Sequence, residues 1–236
     1  MAIYVTSDLH GLAPEKLTAL LDKAGFGEDD WLYILGDVID RTGDGGVAML
    51  LWLMEQPNVQ LLRGNHEEML LSCAFVFEEI TEDSVEALNP DKMDLLNQYI
   101  ANGGDVTLKH LHQLKKRDPE RIADILDYLW DTELYEAVEA GGQTFLLVHA
   151  GIEGFTPGRK LSQYPPEAFL WPRPDVEDAY FPNVITVFGH TPTIFYDYAA
   201  KGRIYHAPHW IDIDVGVQGG CPPALLRLDD LAEFYL

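Results

Sequence analysis

The segment Val59-Gln60-Leu61-Leu62-Arg63-Gly64-Asn65-His66-Glu67-Glu68 most constrains what this chain can fold into. Its first half reads as a short buried strand. Gly64 lets the backbone turn sharply, and Asn65, His66 and Glu67 follow at once. A polar run directly behind a buried strand costs free energy unless something binds it. The same order, an apolar strand and then Asp, Asn or His beside a Gly, recurs in residues 4–11, 32–41, 145–151 and 185–192. These five strand ends are expected to converge on a metal site, with the rest of the chain holding them there.

Residues 2–6 predict a buried strand. Asp8 and His10 follow two apart, and in an extended segment such residues point the same way. Pro14 suits a first helical position, Leu17, Leu20, Leu21 and Ala24 recur at helical spacing, and Gly25 is a fitting stop. Residues 31–35 predict a second strand ending at Gly36-Asp37, with Asp40-Arg41 just beyond. Val47, Leu50, Leu51 and Met54 mark another helix before the strand into Asn65. Strands alternating with helices predict α/β layers, with sites at the carboxyl ends of the strands.

From about residue 67 to 140 the pattern becomes helical, with amphipathic stretches at 69–80, 93–101 and 122–129 and a break at Asn102-Gly103-Gly104. This is expected to be an insertion lying over or beside the site. Residues 145–148 return to strand and deliver His149, a Pro-rich loop occupies 164–174, and a strand leads into His190. Residues 203–206, 210–215 and 224–228 are read as antiparallel strands closing a second sheet. A β-sandwich flanked by helices, one domain over residues 1–236, absorbs all of these elements.

The 16 Lys and Arg stand against 39 Asp and Glu, a net charge of −23. Nucleic acid is not an expected partner, because its phosphates need cations to displace counterions. Neither is an anionic membrane surface; the acidity reads as solubility. Cys73 and Cys221 have no metal-type spacing and predict a reducing compartment without disulfides. The first residues lack the basic region of a signal peptide, and no apolar run reaches the roughly 20 residues of a membrane span. The expected location is the cytoplasm.

Asp8, His10, Asp37, Asn65, His149 and His190 supply two carboxylates, three imidazoles and an amide oxygen, with no thiolate. Mixed nitrogen and oxygen ligands suit manganese, iron or zinc. Six ligands are awkward for one tetrahedral ion but comfortable for two divalent ions sharing a carboxylate, as in sites that clamp a displacement at phosphorus. A water between two cations loses its proton readily. A leaving oxygen needs a proton, and His66 is the candidate acid, oriented and kept charged by Asp40. Arg41 and Arg173 offer forked contacts to phosphoryl oxygens. Glu67 is expected to cap the following helix.

Asp8-Leu9-His10-Gly11, Gly36-Asp37-Val38-Ile39-Asp40-Arg41, Arg63-Gly64-Asn65-His66-Glu67, Val148-His149-Ala150-Gly151 and Gly189-His190-Thr191-Pro192, in this order, resemble the calcineurin-like metallophosphoesterase superfamily. More narrowly they resemble the short prokaryotic members of its Ser/Thr phosphoprotein phosphatase branch. That resemblance implies a four-layer α/β/β/α fold. It implies Asp8, His10 and Asp37 on a first metal, and Asp37, Asn65, His149 and His190 on a second. It implies His66 as acid supported by Asp40, with Arg41 and Arg173 on the phosphate. Thr42 and Ser7 stand where the family usually has Gly, and neither change removes a ligand.

The expected function is a manganese-dependent phosphomonoesterase acting on phosphoproteins. The alternative is symmetrical hydrolysis of diadenosine tetraphosphate, which shares most of the motifs. Asp40 favours the phosphatase, because tetraphosphatases resembling this chain commonly lack Asp there. A third reading, a metal-filled binding module without turnover, is disfavoured by the intact ligand set.

Overall fold

A strand that is apolar on both sides needs cover on both faces of its sheet, and β1 (Ile3–Thr6) meets that condition, with all four residues buried. In the computed structural model, which describes residues 1–79, 81–82 and 86–236, β1 lies third in a five-stranded sheet. It pairs in parallel with β2 (Trp31–Ile34), which pairs in parallel with β3 (Val59–Leu61). The second sheet runs β4 (Tyr135–Ala140), β5 (Gln143–Val148), β6 (Val184–Phe188), then β8 (Trp210–Asp212) and β7 (Tyr205–His206) at the far edge. Strands β5, β6 and β8 are parallel, and both edge pairs are antiparallel.

The two sheets face each other across a core that includes Val5, Leu35, Leu62, Phe145, Leu147, Val187, Ile211 and Leu226. Strand periodicity sends alternate side chains to opposite faces, so Leu146 and Val148 point away from that core. They join Phe169, Phe188 and Trp210 beneath an outer cover. That cover includes one helical turn, α7 (Glu167–Leu170), set in the expected Pro-rich loop.

The outer face of the first sheet carries a thicker helical layer. It contains α1 (Pro14–Ala24), α2 (Val47–Leu53) and α3 (Asn65–Ser72), then α4 (Pro90–Tyr99), α5 (Asp105–Lys115) and α6 (Pro119–Trp130). Gly25 ends α1 in the left-handed conformation, with φ 76°. Leu111, Ile122, Ile125 and Leu129 of the insertion share one core with Leu17, Leu50 and Leu70.

The expected boundaries shift in three places. Helix α3 begins at Asn65 itself, so the ligand turn and the helix N-terminus are one feature. The insertion ends before Tyr135, because residues 135–140 form β4 along the edge of β5. Ile80, the end of the expected stretch 69–80, lies outside the described residues. The tail also divides differently. Trp210–Asp212 joins the second sheet parallel to β6, while β9 (Ala224–Arg227) and an unexpected β10 (Ala232–Tyr235) extend the first sheet beside β1. Which sheet a short strand joins depends on distant partners rather than on its own pattern. Cys73 and Cys221 are both free. Among the described residues, no helix is long and apolar enough to cross a membrane.

Candidate active site

The strand ends deliver their polar residues through left-handed backbone. Asp8, His10, Asp37, Asp40, Arg41 and His190 have φ of 53°, 40°, 56°, 75°, 69° and 66°. Only Asn183 and Leu231 share this property among the other described non-glycine residues. Such conformations are costly for L-residues and gather at functional sites. The expectation that Asp8 and His10 converge through an extended pleat is therefore corrected: two tight turns aim them. Backbone bonds join the loops, Asp8 N–H to Gly36 O at 3.1 Å, His10 N–H to Asp37 O at 2.9 Å and Gly189 N–H to His149 O at 2.8 Å. At Gly189 a Cβ would lie 2.1 Å from both Asp8 Oδ2 and Ser7 Oγ, so only glycine lets the sheets' loops approach this closely.

All six expected ligands meet. Ligand atoms of Asp37, His149 and His190 lie within 4.8 Å of one another, and so do those of His10, Asp37 and His66. Asp37 belongs to both groups, and Asp8 Oδ1 is 3.8 Å from His10 Nε2. The donor chemistry provides a test of whether cations belong here. His149 Nδ1 donates to Leu35 O at 2.6 Å, which aims Nε2 at Asn65 Oδ1, only 2.9 Å away. His10 Nδ1 donates to Ile39 O at 3.0 Å, and its Nε2 lone pair faces Asp8 and Asp37 oxygens. Burial pushes His10 down to about 3, against the pull of Asp8, and keeps it neutral. Burial, helped by His149 and Arg173, pushes His190 to about 2. Asp8 Oδ1 and His190 Nε2 are buried with no hydrogen-bond partner. Acceptors facing acceptors at such distances repel unless a cation lies between them, and the residues present suit a pair of divalent ions.

Beside the ligands stands a second cluster. His66 Nδ1 is 2.6 Å from Asp40 Oδ2, and Arg41 Nη2 donates to His66 Nε2 at 2.9 Å. The helical insertion completes this group. Tyr99 OH donates to Asp40 Oδ1 at 2.7 Å, the Thr107 hydroxyl donates to the same oxygen, and Arg41 N–H donates to Gly103 O at 3.1 Å. Tyr99 and Thr107 flank the expected break at Asn102-Gly103-Gly104, but no sequence signal pointed to either side chain. Asp40 meets His66 Nδ1, but burial works against the expectation that it keeps the imidazole charged. Burial first, then Arg41 and His149, push His66 down to about 3, while burial raises Asp40 to about 7. Nδ1–H donates to Asp40 Oδ2, and Nε2 is left as an acceptor for Arg41.

Glu67 does more than cap α3. Its carboxylate accepts from Gly64 N–H at 3.0 Å and from Asp37 and Val38 N–H at 2.8 and 2.9 Å, tying the β2 and β3 ends together. Asp212, the last residue of β8, and Asp214, just past it, are also fully buried. Burial and repulsion, from Asp214 on the former and Asp8 on the latter, hold both carboxyls well above their usual range.

The ligands open into a cavity of about 550 Å³. Arg41 and Arg173 both line it, so the structure brings the two expected phosphate contacts to one space. Arg173 is oriented by a 3.3 Å bond from Nη1 to Thr191 Oγ1.

The family model for calcineurin-like phosphoesterases matches residues 1–209. A symmetrical bis(5'-nucleosyl)-tetraphosphatase from Acidovorax sp. (strain JS42) is 28% identical over 153 residues, 64% of this chain and 44% of that protein. Another from Neisseria gonorrhoeae (strain ATCC 700825 / FA 1090) is 36% identical over 73 residues, 30% of this chain and 26% of that protein. The chain thus matches less than half the length of these curated relatives. Two solved structures share the fold. A candidate diadenosine tetraphosphatase has a TM-score of 0.61 at 16% identity, covering 100% of this chain and 92% of that one. A protein serine/threonine phosphatase from Saccharomyces cerevisiae has a TM-score of 0.58 at 15% identity, covering 97% and 72%. The expected phosphoprotein phosphatase is overturned by these sequence relatives, which are tetraphosphatases. Asp40 misled because its contacts here are with His66, Tyr99 and Thr107. Contacts of this kind do not distinguish an ester from an anhydride.

Proposed function

The chain belongs to the calcineurin-like phosphoesterase family, a metallophosphoesterase hydrolase, and from that premise we propose that it cleaves bis(5'-nucleosyl) tetraphosphates at the central anhydride. The observation that carries this reading is the shared activity of its curated sequence relatives. The cationic cavity wall supports it, since a tetraphosphate is a strong polyanion.

Asp8, His10, Asp37, Asn65, His149 and His190 would hold two divalent ions, and manganese is our assignment among the metals this donor set accepts. Such ions supply Lewis acidity toward the phosphoryl group and toward an attacking water. The other roles belong to the chain. Arg41 and Arg173 bind the phosphoryl oxygens, each able to make a forked contact. When Arg41 turns to a phosphate it leaves His66 Nε2 free to take a proton from solvent and present it to the leaving oxygen, while Nδ1–H stays on Asp40, whose carboxylate steadies the imidazolium. Tyr99 and Thr107 keep Asp40 in line for that transfer.

Incubation of the purified enzyme with Mn²⁺ and diadenosine tetraphosphate should give two molecules of ADP and nothing else. Products of AMP and ATP, or hydrolysis of p-nitrophenyl phosphate without any dinucleotide cleavage, would reject this substrate.

A further inference from the structure

Phe195 is 74% exposed, an uncommon state for phenylalanine. Its backbone is nonetheless firmly held. It closes the short turn Thr193–Phe195, which begins three residues after His190. Thr193 N–H donates to Asp214 O at 2.9 Å, the Thr193 hydroxyl to Ala200 O at 3.0 Å, and Phe195 N–H to Pro192 O at 2.8 Å. The next side chain, Tyr196, packs on Trp210 and Tyr205, with ring centroids 5.0 and 5.6 Å away. Tyr196 therefore anchors the turn to the second sheet, and Phe195 is left in the wall of the active-site cavity.

Lys201, just past the turn Tyr198–Ala200, lines the same wall. Among the described residues, none of Arg41, Arg173 and Lys201 forms an ion pair. Among the described residues Asp37 is the one carboxylate lining the cavity, and it belongs to the expected ligand set. A chain of net charge −23 thus turns a cationic surface inward here. An apolar ring held at the rim of a cationic cavity matches one chemistry well, a nucleobase joined to a chain of phosphates.

We propose that Phe195 is a nucleobase platform and that Lys201 contacts a phosphate other than the one attacked, so that the pair selects nucleoside polyphosphates over phosphates lacking a base. The proposal rests on the dinucleotide reading of this site and names the side chains that would give it specificity. Stacking on an aromatic ring tolerates any base, because every base offers a π face. The platform therefore favours nucleotides without choosing among them.

The test uses the Mn²⁺-loaded enzyme and calorimetric titration with ATP, inorganic triphosphate and inorganic phosphate. The wild type should bind ATP more tightly than triphosphate. Phe195→Ala should cut that preference about tenfold, equivalent to about 1.4 kcal/mol, at the lower end of base–aromatic stacking. Phe195→Trp should restore it. Lys201→Ala should weaken ATP and triphosphate alike relative to inorganic phosphate. No preference for ATP in the wild type, or an unchanged preference in Phe195→Ala, overturns the platform even if diadenosine tetraphosphate is cleaved. A preference lost in Phe195→Ala, from an enzyme that leaves the dinucleotide intact, retains the platform and discards the dinucleotide reading.

Discussion

At the scale of single residues, Asp40 and His66 act as a unit whose protonation is set by burial. One hydrogen-bonded pair holds a proton close to the ligands, and Arg41 guards the other ring nitrogen. The benefit of a general acid depends on how basic the leaving oxygen becomes. A phosphate leaving from an anhydride needs less help than an alkoxide. His66→Asn should therefore slow hydrolysis of an alkyl phosphomonoester by about 10²–10⁴-fold and that of diadenosine tetraphosphate by less, with metal content unchanged. Paired kinetic and elemental measurements check this; equal losses on both substrates would remove His66 from the acid role. The cysteines give a simpler case. Cys73 is 1% exposed and burial pushes its thiol up to about 11, whereas Cys221 lines the active-site cavity. The thiolate is the reactive form. Iodoacetamide at pH 8 should modify Cys221 alone in the folded protein, as peptide mass spectrometry would show.

At the scale of elements, the helical insertion is part of the site. The stretch Ile100–Gly104 forms a π-turn between α4 and α5, with Gly103 at φ 97°. This break brings Gly103 O to Arg41 and lets Tyr99 and Thr107 reach Asp40 from either side of it. The legibility of the sequence was uneven here. The break at Asn102-Gly103-Gly104 could be seen because glycine tolerates conformations that other residues avoid. Its purpose could not, because Tyr99 and Thr107 are 59 and 67 residues from Asp40. Tyr99→Phe deletes one buried hydrogen bond and should destabilise the fold by about 1 kcal/mol. It should also lower kcat while leaving the affinity for Mn²⁺ unaltered, measurable by chemical denaturation, kinetics and metal titration. Gly189→Ala should do the reverse. Its methyl group would meet Asp8 and Ser7, so metal affinity should fall most.

For the whole molecule, two sheets bring loops from residues 8 to 190 into one buried cluster. Its carboxylate oxygens and imidazole nitrogens crowd one another. Metal binding should therefore stabilise the entire fold. At a free metal concentration of about 100 times Kd the gain is about 2.7 kcal/mol. For a chain of this size that corresponds to a rise in Tm of roughly 5–10 °C. Calorimetry with Mn²⁺ and after exhaustive chelation checks it, and identical transitions would mean that the cluster binds no metal.

The sequence alone determined the alternation of strands and helices, the polar residue at each strand end and the family to which the chain belongs. These follow from short runs in which apolar residues, a glycine and a polar group stand in fixed order. Only the tertiary structure decided that left-handed turns aim Asp8 and His10, that the last two strands complete the first sheet, and that Tyr99, Thr107 and Phe195 reach the site. Substrate class was also beyond the motifs. The strand-end residues would suit esters and anhydrides alike, and the cavity wall beside them is assembled only in the folded chain. Local patterns fix local backbone, whereas the company a side chain keeps depends on which distant surfaces bury one another.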